Sequence, residues 1–98
     1  MLETFTCATF EPYVGDSFLL HAGSQPPREM TLIEATVLPT MHRPEGRAPF
    51  SIVFRQSSGD LLPQATYRVE HSGLGTFDLF LVPIGPDGEG MRYEAVFT

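Results

Sequence analysis
Three histidines, His21, His42 and His71, together with the carboxylates Asp16 and Glu70, are the residue types from which a zinc-like centre is built, because neutral imidazole and carboxylate oxygens suit such ions. Their spacing matches no metal motif, and His21 and His71 fall near strand ends while His42 falls in a proline-rich loop, so isolated surface or edge histidines are the simpler reading. Cys7 stands near a possible helix start, which would favour a thiolate nucleophile. A small buried apolar residue is the favoured reading of it. No serine occupies a Gly-x-Ser-x-Gly elbow, and Ser57-Ser58-Gly59 reads as a turn. Asp60, Asp87 and Glu89 lie in glycine-containing loops but lack the alternate-position oxygen ligands of an EF-hand, and Gly85 to Gly90 has neither the lysine nor the following helix of a phosphate loop. With no convergent acid, base, nucleophile or cofactor motif, the expectation is a non-enzymatic protein without a cofactor. Arginines are enriched at interface hot spots. Arg43 and Arg47 in the proline-rich loop, with Arg55 and Arg68 on strands, are therefore the candidate interaction surface, and Glu70 and Glu94 are the candidate cross-strand partners of Arg55 and Arg68.

The balance of twelve carboxylates against six cations, all arginine, gives a net charge of −6. That excludes the basic footprint needed on a phosphate backbone, so nucleic acid is not an expected partner. One cysteine cannot form an internal disulfide, and no window approaches the length of a membrane span. A soluble, cytoplasmic protein that avoids membranes is the expectation.

These residues must be positioned by a chain of 98 residues, enough for a single domain over 1–98 with its own core. Nine Pro and nine Gly interrupt regular structure often and favour short strands over long helices. Residues 5 to 15 predict one short helix, with Thr6 as N-cap, Phe10 and Val14 as its apolar stripe and Gly15 as its stop. Phe18 and Leu20 then alternate with polar or outward positions, as in a half-buried strand. The β-branched run over 29 to 38 predicts a second strand, and 39 to 49, with three Pro, the longest loop. Further strands follow at Phe50-Ile52-Phe54, Tyr67-Val69-His71, Phe77-Leu79-Leu81 and Tyr93-Ala95-Phe97. The third of these four is apolar on both faces toward its C-terminal end, which predicts a central or doubly covered position, and Pro83 to Gly90 reads as a loop turning at Asp87-Gly88. The fold class is all-β: about six short antiparallel strands in a small barrel or sandwich, with one short N-terminal helix. An open sheet would leave edge strands for pairing with another chain or a second copy, whereas a closed barrel would not.

The stretches Phe10-Glu11-Pro12-Tyr13-Val14-Gly15-Asp16-Ser17-Phe18, Pro49-Phe50-Ser51-Ile52-Val53-Phe54-Arg55, Leu62-Pro63-Gln64-Ala65-Thr66-Tyr67, Phe80-Leu81-Val82-Pro83-Ile84-Gly85 and Tyr93-Glu94-Ala95-Val96-Phe97 carry a resemblance that covers nearly the whole chain. They resemble a family of small bacterial proteins known as a domain of unknown function, DUF6916. The resemblance implies a single-domain β protein that accompanies phage-tail-like collar proteins, and it names no biochemical activity. The combined expectation is a structural or protein-interaction module whose partner is another protein, a phage-tail-like component or a second copy. The alternative is a small barrel that encloses an apolar ligand among Phe50, Phe54, Phe77 and Tyr67.

Overall fold
The structure, a computed structural model, describes residues 2–39, 48–57 and 59–98. Six strands follow a one-turn helix: α1 (Cys7–Phe10), β1 (Ser17–His21), β2 (Arg28–Val37), β3 (Phe50–Gln56), β4 (Ala65–His71), β5 (Gly75–Pro86) and β6 (Met91–Phe97). All neighbours are antiparallel and the sheet closes on itself in the order β1-β2-β3-β6-β5-β4. Of the two architectures compatible with the sequence, the chain therefore forms the barrel. Every strand has a neighbour on both sides, so no whole strand is left as an edge.

Period-two alternation sends Phe18 and Leu20 of β1, Tyr67 and Val69 of β4, and Tyr93, Ala95 and Phe97 of β6 inward, all of them buried. A tyrosine in a core needs a partner for its hydroxyl. Tyr93 finds it in the Leu62 amide, whose N–H donates to the phenol oxygen at 2.9 Å, and this bond ties the β3–β4 connection over one end of the barrel. At the same end Gly90 lets the β5–β6 hairpin lie directly against β3, because a Cβ there would collide with the Gln56 carbonyl.

The other end is plugged by the N-terminal segment. Thr6 caps α1 in extended conformation and its N–H donates to the Thr9 hydroxyl at 2.9 Å. The helix lasts one turn before a 3-10 turn at Glu11–Tyr13, where Pro12 is tolerated near the start. Gly15, at φ 101°, then reverses the chain and donates to the Leu32 carbonyl at 2.7 Å. Phe10 has no exposed surface, and its ring centroid lies 5.3 Å from Phe5, 6.0 Å from Phe50 and 5.7 Å from Phe97. The expected stripe is corrected in one respect: its second member, Val14, is 44% exposed, and the plug is Phe5, Cys7 and Phe10 instead. The cause is the change to the tighter 3-10 winding after Phe10, which turns Val14 away from the core.

Two strand expectations also change. β5 does not stop at Pro83 but continues to Pro86, since a register shift between Pro83 and Gly85 absorbs the missing donor. The strand buried on both faces is β3, where outward-facing Ser51 and Val53 are buried, while Phe80 on the outer face of β5 is 52% exposed. Most of the long 39–49 loop lies outside the described residues.

Candidate functional site
The sequence places its titratable residues at strand ends, and closure of the barrel decides which of them meet. His71, the last residue of β4, is buried beneath the β4–β5 turn. Its Nδ1 accepts from the amides of Gly73 at 3.0 Å and Leu74 at 3.2 Å, so Nε2 carries the proton and donates to Asp16 Oδ2 at 2.9 Å. The ring stacks on Phe18 with centroids 4.4 Å apart and meets the edge of Tyr13. Both nitrogens are thus committed to holding the turn and the start of β1 together, and neither is free to serve as a base or ligand. On the outer face, His21 Nε2 pairs with Glu70 Oε1 across β1 and β4. Glu70 points outward and His71 inward, as alternation requires, so the two pairs are separate. Beside them lies a shallow groove of about 330 Å³ lined by Ser17, Leu19, Glu70, His71 and Ser72. His42 lies outside the described residues, and among the described ones no three His, Cys, Asp or Glu side chains come close enough to hold a metal ion.

Cys7 is buried in the plug. Burial pushes its thiol pKa up, and the Glu11 carboxylate adds to the rise. A nucleophilic thiolate requires the opposite shift.

Of the four candidate arginines, Arg43 and Arg47 lie outside the described residues. Arg55 and Arg68 stand on β3 and β4, three strands apart whichever way the barrel is followed, and so do not share a face. Their partners differ from the expected Glu70 and Glu94. Arg55 grips Asp87 at the β5–β6 hairpin tip with Nε at 2.9 Å from Oδ2, while its Nη2 also reaches Glu89 at 3.6 Å. Arg68 meets Asp78 on the neighbouring strand at 3.3 Å. The Arg55 guanidinium, aided by the Glu89 amide, holds the Asp87 carboxyl down at about 2 from an ordinary 3.8, and the Arg55 pKa rises in return. Hairpin return is a tertiary event, and strand alternation carries no signal of it.

Sequence reasoning also passed over Arg28. It opens β2 and donates to Gln25 Oε1 at 3.0 Å and to the Asp60 carbonyl at 2.6 Å, beside a surface cleft of about 500 Å³ formed with Pro26, Pro27 and Gly59. The inward register of Gln56, a polar residue ending an apolar strand, is the one sequence sign of this polar closure; its amide donates to the same carbonyl at 3.0 Å.

Inside the barrel the space bounded by Phe18, Leu20, Met30, Phe54, Val69 and Leu81 has no room for a water molecule. Outside it, large apolar side chains are exposed where β5 and β6 part: Phe80 is 52% and Val96 54% accessible. Among the described residues, no helix is long and apolar enough to cross a membrane.

A family model described as a domain of unknown function, DUF6916, matches residues 5–97, nearly the whole chain, and the chain belongs to that family. No curated protein and no solved structure matches it.

Proposed function
We propose that this member of the DUF6916 family is a non-enzymatic interaction module that binds another protein through the outside of its barrel. One observation carries the reading: the space inside the barrel between Phe18, Leu20, Met30, Phe54, Val69 and Leu81 has no room for a water molecule and so none for a ligand, while large apolar side chains stand exposed outside. The engagement of both His71 nitrogens and the raised Cys7 thiol support a non-enzymatic role. Closure narrows how the module binds, because whole-strand edge pairing, with a partner or with a second copy, has no edge strand to use. The partner in this reading is a structural protein of a phage-tail-like assembly, a role suggested by the resemblance of the sequence alone. The alternative, a carrier of a small apolar ligand, would need the core to open.

The test is affinity capture of the tagged full chain from the cells that make it, with mass spectrometry of what is retained and light scattering of the purified species. A stoichiometric partner that is a tail-like structural protein is the expected result. A clean monomer that retains nothing overturns the reading.

A further inference from the structure
We infer that the docking surface is the outer face of the β5–β6 seam, and that it receives a segment of another protein presenting an apolar side chain flanked by Lys or Arg. This deepens the interaction reading above and rests on it.

β5 and β6 are in register from Pro86↔Met91 to Val82↔Glu94, and there their pairing ends. Beyond that point β6 continues to Phe97 with β3 alone, and the first half of β5, from Gly75, pairs with β4 alone. The next outward residues past the last pair are Phe80 on β5 and Val96 on β6, each more than half exposed. Their registered neighbours, Thr66 beside Phe80 and Ser51 beside Val96, are uncharged. Counted on from Val82↔Glu94, Phe80 and Val96 hold facing positions on the two strands, so an exposed apolar side chain stands on each side of the seam where pairing stops.

The charge around it fixes the partner. Glu94 lies two residues from Val96 on the same face, and Glu34 lies across Val53 from Glu94. Neither has a cation in ion-pair reach among the described residues. Of the nearby guanidiniums, Arg68 pairs with Asp78 and Arg55 with Asp87, while Arg92 keeps its charge, donates to the Gly85 carbonyl at 3.2 Å and makes no ion pair with Glu94. An apolar surface rimmed by carboxylates that no described cation pairs with favours a cationic partner, steers its approach and makes the contact salt-sensitive.

The test installs the photo-crosslinker p-benzoylphenylalanine in the full chain at Phe80, at Val96 and, as a control on another exposed apolar residue, at Leu61, in the cells that make the protein. The expected result is labelling of one protein from positions 80 and 96 but not 61. The labelled peptide carries an apolar residue next to Lys or Arg, and the yield falls severalfold in about 0.5 M salt. The double variant Phe80→Ser, Val96→Ser then binds that protein at least tenfold more weakly with its own melting curve intact. Labelling from 61 and not from 80 or 96 overturns the seam assignment while the interaction reading stands. Labelling of a second copy of the chain, or of an acidic segment, also overturns the assignment. No labelling from any position overturns both.

Discussion
His71 converts three hydrogen bonds and two ring contacts into a lock between the β4–β5 turn and the start of β1. Truncating it leaves the Gly73 and Leu74 amides without their acceptor, a loss of about 1–3 kcal/mol. His71→Ala is therefore expected to lower the urea midpoint strongly. The half-exposed His21–Glu70 pair should be worth less than about 1 kcal/mol, so His21→Ala should barely move it. Asp87 gives a pH signature. Its carboxyl titrates at about 2 in the fold against an ordinary 3.8, so its contribution is complete above the ordinary value and is lost as pH falls through the lower one. The stability gap between the parent and Asp87→Asn, followed by urea unfolding, should be constant above about pH 5 and shrink below about pH 4. A gap that ignores pH would show that the Arg55 contact is not formed in solution.

The plug and the hairpin tip are the elements on which the barrel's two ends depend. Phe10→Ala removes the ring around which Phe5, Phe50 and Phe97 gather and should cost about 3–5 kcal/mol by chemical denaturation, whereas Val14→Ala should stay within about 0.5 kcal/mol. Gly90→Ala drives a methyl group into the β3 backbone and should cost about 1–3 kcal/mol. These elements also show what the chain spells out locally. The inward faces of β1, β4 and β6 were legible because Phe18/Leu20, Tyr67/Val69 and Tyr93/Ala95/Phe97 alternate without interruption. Which strand neighbours which was not, since alternation defines a face and not a partner. Pro83 concealed the last four residues of β5, Pro83 to Pro86, because a bulge accommodates a proline that a regular ladder would reject. The ion pairs were hidden for the same reason as the strand order: Arg55 finds Asp87 only after the hairpin folds back, and Asp16 finds His71 only after the barrel closes. The exposed position of Phe80 was hidden too, because a strand apolar on both faces ordinarily signals cover on both.

At the scale of the whole molecule, the proposed interaction role belongs to the outer surface, because the space between Phe18, Leu20, Met30, Phe54, Val69 and Leu81 has no room for a water molecule. A carrier saturated a hundredfold above its Kd would gain about 2.7 kcal/mol, which in a domain of this size raises Tm by about 10 °C or more. With fatty acids, sterols or retinoids the expected Tm shift is below about 1 °C, because entry would require displacing packed side chains such as Phe54 and Leu81. The most direct measurement of the central claim is native mass spectrometry of the full chain purified under mild conditions from the cells that make it. The expected spectrum shows the chain joined to a partner protein at fixed stoichiometry, with no small-molecule adduct. A chain that flies alone, or one that carries a bound apolar ligand, would contradict the account.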